Sequence, residues 1–225
     1  MTVLSGAKLR ERLEMKDLNK RLVVSPILDP KEQLNESQAS IDVRLGCDFA
    51  LMSPSAHGAI DELDHSAAAR APLKKLYRKL YVPLGARFVI HPHQFILAQA
   101  LEYLRLPLDL MAYVVGRSTW GRLGLTVATA VGVHPGFAGS LTLELRNLGE
   151  APLALRPGQA IAQLFFHGVE TGVGAKVVGQ YRGAVDILPK KMSSLGTRKK
   201  IESLAKNRAE LSLPVISMET LKNHE

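Results

Sequence analysis

The 225-residue chain has little cysteine, few aromatic residues and no long apolar run. Its single cysteine, Cys47, excludes an internal disulfide and a zinc site built from several cysteines. No segment reaches the roughly 18 consecutive apolar residues that a transmembrane helix needs. Residues 1–20 lack the apolar stretch of a signal peptide. These absences predict a cytoplasmic protein without a membrane partner.

The chain is basic and carries a positive net charge. Lys and Arg number 29 against 21 Asp and Glu, a net charge of +8. Such an excess suits nucleic acid or a small polyanion such as a nucleoside triphosphate. Part of the excess lies in the tail beyond Pro189, and no aromatic side chains alternate with the basic ones as in a base-stacking surface. Nucleic-acid binding is therefore the weaker inference.

Hydrophobic patterning predicts a mainly β chain with a short N-terminal helix. Residues 5–17 are amphipathic behind a serine that can cap a helix. Residues 39–52 include apolar residues that alternate with Asp and Arg, as in a strand. From residue 81 to residue 166, short apolar runs recur between Gly, Pro and Asn, which is typical of a sandwich or barrel.

Two stretches depart from this pattern. Residues 53–78 are mixed in composition and are predicted to be an insertion or a loop with a short helix. The tail beyond Pro189 is rich in Lys and Arg and is predicted to be a helix with a disordered end, or a contact arm. We therefore divide the chain into a domain of residues 1–190 and a basic C-terminal extension of residues 191–225.

Segment 116–124, GRSTWGRLG, is predicted to form a short helical turn after a strand. The backbone amides of such a turn, the hydroxyls of Ser118 and Thr119 and the charge of Arg117 suit phosphate oxygens. Ser118 and Arg122 are four residues apart and would project from the same side of the turn. An ordinary capped surface turn is the alternative that the pattern leaves open.

Residues 140–147 alternate as a strand does. One face of the strand is leucine and the other is polar, with Leu141, Leu143 and Leu145 against Thr142, Glu144 and Arg146. The polar face either meets water or places Glu144 in a cleft as a general base. In a cleft, partial burial would raise the proton affinity of the carboxylate toward a useful value.

Two further sets of residues are candidates for contacts with a ligand. Loop 128–139 has small residues and glycines that let a ligand approach, with Phe137 able to lie flat against a sugar or base. His134 in that loop is either a ligand contact or a plain turn residue. His91 and His93 are predicted on one strand face, with no Cys or carboxylate close in sequence to complete a metal site.

Four strings, taken in order, resemble the dCTP deaminase family, the deaminating branch of the trimeric dUTPase-like fold. They are ASIDVRLG, GRSTWGRLGL, HPGFAGSLTLELRNLG and APLALRPGQAIAQLFF. The resemblance runs from about Val3 to Phe166. It implies a distorted β-barrel or jelly-roll subunit with a short N-terminal helix, and a homotrimer whose active sites are shared between subunits.

The resemblance also implies an activity: hydrolytic removal of the 4-amino group of dCTP, giving dUTP and ammonia. Mg²⁺ would be bound through the triphosphate, and dTTP, which inhibits some relatives, is a candidate effector. The resemblance makes Glu144 the catalytic glutamate, with Ser118 and Arg122 as its partners at the water and the cytosine. The substrate contacts that we predict with it are Arg117, Ser118, Thr119, Arg122, His134, Phe137, Thr142, Gln163, Gln180 and Tyr181.

The composition agrees with a zinc-free mechanism. Zinc-dependent nucleobase deaminases hold their metal with a His and two Cys, or with three Cys, and one cysteine cannot build that site. Two related reactions are alternatives to dCTP deamination alone: a bifunctional enzyme that goes on to dUMP, and a plain dUTP diphosphatase. The dUTPase reaction commonly uses an Asp at the position where His134 stands, and the absence of that Asp argues against the diphosphatase. A non-catalytic trimer that binds nucleotide or nucleic acid is the alternative of a different class.

Overall fold

The computed structural model describes residues 2–34, 37–52, 76–128 and 132–170, together with residue 203. The chain divides into two compact units, Met1–Pro54 with Lys75–Lys190, and Ser55–Lys74 with Lys191–Glu225. Apart from residue 203, every described residue belongs to the first unit. The helix predicted for the tail and most of the loop predicted for residues 53–78 lie outside the described residues. The domain boundary at residue 190 stays a prediction.

The described elements are short helices and β-strands in chain order. They are α1 (Gly6–Glu14), β1 (Val23–Ser25), α2 (Pro30–Gln33), β2 (Ser40–Met52), β3 (Tyr77–Tyr81), β4 (Phe88–Ile90), β5 (Phe95–Arg105), β6 (Leu110–Gly116), α3 (Ser118–Arg122), β7 (Leu125–Val127), β8 (Gly132–Val133), β9 (Ala138–Asn147), β10 (Leu153–Leu155) and β11 (Ala160–Gly168). No helix in the described part of the chain is long and apolar enough to cross a membrane.

Nine strands form one antiparallel sheet that curls around a core. The strand order is β7-β9-β5-β2-β11-β6-β8, with β1 beside β5 and β3 beside β2, while β4 and β10 form a separate pair. The path curls back on itself: a Cβ added to Gly116 at the end of β6, the strand next to β8, would lie 3.3 Å from Cγ2 of Val127 in β7. The curled sheet confirms the mainly β, barrel-like prediction.

Alternation along the strands decides which side chains form the core. The leucines predicted on one face of residues 140–147 are buried inside the curl, with Leu143 and Leu145 at 0% exposure. Ile41, Val43 and Leu45 of β2 are buried in the same core. Each such side chain stabilises the fold by roughly 1.5–3 kcal/mol, so the register of these strands is firmly set and their polar residues face outward.

The predicted N-terminal helix is confirmed as α1. The hydroxyl of Ser5 caps it by accepting a hydrogen bond from the amide of Lys8 at 3.4 Å. Leu9 is fully buried and joins α1 to the core. Arg12 pairs with Asp109. α1 ends at Glu14, three residues before the predicted end, because Met15 already has an extended backbone.

A buried polar network holds α2 against the sheet. Glu102 of β5 is 0% exposed, and its carboxylate accepts hydrogen bonds from Nε of Arg44 at 2.8 Å and from the amide of Arg44 at 2.9 Å. The side-chain amide of Gln33 donates to the same carboxylate at 3.0 Å and accepts from the Arg44 guanidinium. The sequence pattern placed Arg44 on the polar strand face, and the structure covers that part of the face with α2.

Two predictions about local structure are wrong. His91 and His93 do not lie on a strand; they occupy the turn between β4 and β5, and His93 has φ 63°. Asn and His tolerate this left-handed region better than most side chains, so apolar alternation could not reveal the turn. Residues 77 and 78, predicted as the end of a loop, begin β3, where Tyr77 pairs with Met52.

Removing the carboxylate of Glu102 tests the buried network. We expect Glu102→Ala to lower the free energy of unfolding by about 3–5 kcal/mol, because it leaves the Arg44 guanidinium buried without its counter-ion. Urea denaturation measures the loss, and Glu150→Ala at an exposed site is the control. Joint replacement, Arg44→Met with Glu102→Leu, should lose less than the single change; an equal or larger loss would contradict the ion-pair explanation.

Candidate active site

Helix α3 presents the first group of predicted site residues. It begins just after β6 ends, and its N-cap residue Arg117 makes no side-chain capping bond. The amide of Arg117 donates to the carbonyl of Ile161 at 3.1 Å, which ties the start of α3 to β11. Ser118, Thr119 and Arg122 are exposed. The predicted helical turn is confirmed, with two hydroxyls and a guanidinium open to a ligand.

A carboxylate joins two of the predicted phosphate contacts. Gln163 of β11 lies directly opposite Asp42 of β2, and its side-chain amide donates to Oδ1 of Asp42 at 3.1 Å. The guanidinium of Arg117 forms an ion pair with Oδ2 of the same residue. The Asp42 side chain is 13% exposed and that of Arg117 is 34% exposed. Asp42 therefore holds the donor side chains of Arg117 and Gln163 in one place and leaves the guanidinium partly exposed. We call these three residues the Asp42 cluster.

Asp42 was not among the predicted site residues. Its signal in the sequence was its place on the polar face of β2, within the string ASIDVRLG. That signal could not identify its partners, because Arg117 lies 75 residues away and Gln163 lies 121 residues away along the chain. Charge-assisted hydrogen bonds of this kind fix the geometry of a guanidinium. Asp42 is thus the residue that orients the predicted anion contacts.

Glu144 lies on the outer face of the sheet, beside a small apolar cluster. Its neighbour across to β5 is Leu97, which packs with Ala50, Tyr77 and Phe95 apart from the main core. Glu144 is half-buried there, and burial raises the pKa of its carboxyl above the ordinary value. We call these five residues the Glu144 patch. A carboxyl group in apolar surroundings has the raised proton affinity that suits a general base or acid.

Tyr77 lies within electrostatic reach of Glu144. Burial raises the pKa of the Tyr77 hydroxyl, and the negative charge of Glu144 raises it further. The amide of Ala128 donates to the backbone carbonyl of Glu144 at 2.7 Å, which holds the strand on its other edge. The carboxyl group therefore stands on a strand that is fixed from both sides, by β5 and by the chain after β7.

Gln163 of the Asp42 cluster and Glu144 of the Glu144 patch lie on strands that are not neighbours in the sheet. Strands β9 and β11 are three steps apart in the sheet order, about 14 Å along the sheet at ~4.8 Å per strand. The route around the other side, through β7 and β6, is also three steps. Both groups face outward, so one chain does not bring the side chains of Gln163 and Glu144 together.

The other predicted contacts are distributed around these groups. Thr142 is on the same face of β9 as Glu144, two residues away, and is half-buried. His134 is exposed between β8 and β9. Phe137 is half-buried and packs against the main core, and its carbonyl accepts from the amide of Leu106 at 2.8 Å. Gln180 and Tyr181 lie outside the described residues. The ligand-binding roles of all five stay predictions.

The described residues include no group of three or more His, Cys, Asp or Glu side chains placed to hold a metal ion. Asp42, the carboxylate nearest to the predicted phosphate contacts, has one oxygen bonded to Gln163 and the other paired with Arg117. Mg²⁺ usually keeps several waters and is held by one or two carboxylates plus substrate phosphates. Binding of Mg²⁺ through a triphosphate stays a prediction.

A family model described as dCTP deaminase-like matches residues 3–169. A dUMP-forming dCTP deaminase from Methanobrevibacter smithii is 39% identical over 172 residues, which cover 76% of this chain and 82% of that protein. A dCTP deaminase from Natronomonas pharaonis is 38% identical over 186 residues, which cover 80% of this chain and 90% of that protein.

A solved structure shares the fold. The 2'-deoxycytidine 5'-triphosphate deaminase from Agrobacterium tumefaciens superposes with a TM-score of 0.54 at 21% identity. The match covers 73% of this chain and 47% of that one, so the present chain spans about half the length of the solved chain. The likeness confirms the fold predicted from the sequence.

Replacing Glu144 tests the cause of its raised pKa. Because the folded-state pKa lies above the ordinary value of 4.5, ionised Glu144 opposes folding, and this penalty grows as the pH rises through the folded-state pKa. We expect Glu144→Gln to raise the melting temperature near pH 7.5, and the gain to shrink toward zero near pH 4.5. Thermal unfolding across this range measures it, with exposed Glu150→Gln as the control. A gain that is independent of pH would contradict the burial explanation.

Proposed function

The chain belongs to the dCTP deaminase-like family, and we propose that it removes the 4-amino group of dCTP by hydrolysis, giving dUTP and ammonia. The observation that carries the proposal is the half-buried, outward-facing carboxyl group of Glu144, whose pKa is raised by burial. A carboxyl group with raised proton affinity can take a proton from water and return it later. A module that only binds nucleotide has no need of such a group.

The reaction proceeds in two proton transfers at one carboxyl group. Glu144 accepts a proton from the water whose oxygen attacks C4 of the cytosine, forming a tetrahedral intermediate. Glu144 then delivers that proton to the 4-amino group, the C4–N bond breaks, and ammonia leaves. Ser118 and Arg122 hold the attacking water and the polar intermediate, because preorganised donors stabilise developing charge.

The active site is completed by a second copy of the chain in a homotrimer. This part of the proposal is supported by the positions of Gln163 on β11 and Glu144 on β9, three strands apart on the outer face of one sheet. Two chains packed by these faces can bring α3 of one to Glu144 of the other. Catalysis would then depend on assembly as well as on the fold of each subunit.

The substrate is dCTP carrying Mg²⁺ on its phosphates. Arg117, Thr119 and Gln163 contact the phosphate oxygens, with Asp42 fixing the first and last of these. His134, Phe137 and Thr142 contact the sugar and base, and Gln180 and Tyr181 complete the predicted substrate contacts. Mg²⁺ neutralises phosphate charge when bound, and the proton transfers are made by the side chains named above.

A bifunctional reaction that continues from dUTP to dUMP is the second candidate. The observation that favours it is that several relatives, at 36–39% identity, are dUMP-forming dCTP deaminases. His134 argues in the other direction, because the diphosphatase step commonly uses an Asp at that position. A protein that binds nucleotide or nucleic acid without reaction would dispense with Glu144 altogether.

Glu144→Gln tests the deaminase proposal directly. We expect ammonia release from Mg²⁺-dCTP to fall by about 10³-fold or more, since general acid–base catalysis alone contributes typically 10²–10⁴-fold. The affinity for dCTP, measured by calorimetry, should change less than threefold because the amide keeps the shape of the side chain and one acceptor oxygen. Unchanged turnover in this variant would refute the assignment of the general base.

Product analysis decides between the two reactions. The protein is incubated with Mg²⁺ and, separately, with dCTP, dUTP, CTP or dTTP, and the products are resolved by chromatography. We expect dCTP to give dUTP, and dUTP to be left intact. Formation of dUMP and pyrophosphate from dCTP would establish the bifunctional reaction. If no nucleotide is altered while DNA is retained at moderate salt, the chain is a binding protein.

A further inference from the structure

Helix α3 is too short to be stable without contacts to the rest of the protein. It has five residues and its N-cap lacks a side-chain capping bond, whereas isolated helices shorter than about 12–15 residues are marginal in water. The side chains of Ser118, Thr119 and Arg122 are exposed and contribute no core packing. The orientation of Ser118 and Arg122 must therefore come from contacts between α3 and the sheet.

An irregularity in β11 supplies one side of those contacts. The pairing of β11 with β2 shifts register between Ala160 and Ala162. At this point the carbonyl of Ile161 accepts from the amide of Arg117 at 3.1 Å, and the carbonyl of Ala160 accepts from the indole N–H of Trp120 at 3.0 Å. Irregularities of this kind redirect a strand and are common beside active sites. Here two successive carbonyls face α3.

Trp120 supplies the other side. Its ring is half-buried and packs against the main core, and α3 has no buried residue of its own. Within α3, Trp120 is thus the residue whose side chain both packs on the core and donates to β11. The four-residue spacing places Ser118 and Arg122 at either end of the helical turn that Trp120 anchors.

We propose that Trp120 is a positioning residue of the active site, fixing α3 so that Ser118 and Arg122 reach the reacting cytosine in a preorganised geometry. The proposal rests on the proposed function for its effect on turnover. Arg117 keeps its own anchors, Asp42 and the Ile161 carbonyl, when Trp120 is changed. The phosphate contacts should therefore be disturbed less than the contacts at the base, and the effect should appear in kcat more than in KM.

Trp120→Phe separates positioning from packing, because it keeps an aromatic ring and removes the N–H donor. We expect kcat with Mg²⁺-dCTP to fall roughly tenfold and KM to change less than threefold, since a misplacement of about 1 Å can cost 10²-fold. Amide hydrogen exchange in residues 116–124 should accelerate by about tenfold while exchange in β9 stays the same. The matched control is Phe88→Leu, a core aromatic of β4 that stacks on Phe49.

The control distinguishes a positioning role from a stability effect. Phe88→Leu should lower the melting temperature with kcat retained below that temperature. Trp120→Phe with kcat and exchange in residues 116–124 equal to those of the unsubstituted protein would overturn the proposal. So would a fall in kcat that Phe88→Leu reproduces at an equal loss of melting temperature.

Fluorescence of the unsubstituted protein tests whether Trp120 anchors α3 without the need for a variant. Trp120 is the single tryptophan of the chain, so tryptophan fluorescence, excited at a wavelength that tyrosine does not absorb, reports on α3 alone. We expect partial protection from acrylamide quenching and a further change on adding Mg²⁺-dCTP; quenching equal to that of a free indole would overturn the anchoring. If the unsubstituted protein releases no ammonia, the proposed function fails, and quenching and exchange still decide whether Trp120 anchors α3.

Discussion

Burial of one face of each long strand constrains the direction in which Asp42, Glu144 and Gln163 point. Leu143 and Leu145 are fully buried, so Glu144 between them must point out of the curled sheet. The same alternation places Asp42 outward from β2 and Gln163 outward from β11. A slip of one residue in any of these strands would move its buried side chains to the surface and its polar side chains into the core, which would destabilise the fold. The register of the core thus sets the geometry of the site.

Two carboxylates on the outer face have contrasting surroundings. Asp42 is ion-paired with Arg117 and accepts a hydrogen bond from Gln163, so its charge is compensated and it acts on the orientation of other groups. Glu144 lies beside Leu97 and the rest of an apolar cluster, so its charged form is penalised. Environments that differ in this way assign one carboxylate to structure and the other to proton transfer. This division is the physical basis of the proposed deamination.

Local patterns predicted much of the fold and part of the site. The capping serine before α1, the alternation in β2 and β9 and the turn of GRSTWG all appear in the structure at or near the predicted bounds. The patterns did not reveal that Arg44 is buried, because its partner Glu102 lies 58 residues away on another strand. They also missed the left-handed backbone at His93, which makes the HPH segment a turn instead of a strand.

Residues that are close together along the chain are enough to predict the strand faces, the N-terminal helix, the turn after β6 and the family resemblance. The meeting of distant groups becomes visible in the folded chain alone: Asp42 with Arg117 and Gln163, Trp120 with the carbonyl of Ala160, and Glu144 with Leu97 and Tyr77. The physical reason is that hydrogen bonds, ion pairs and desolvation depend on distance in space. The packing of the sheet creates those distances, and short stretches of sequence do not specify them.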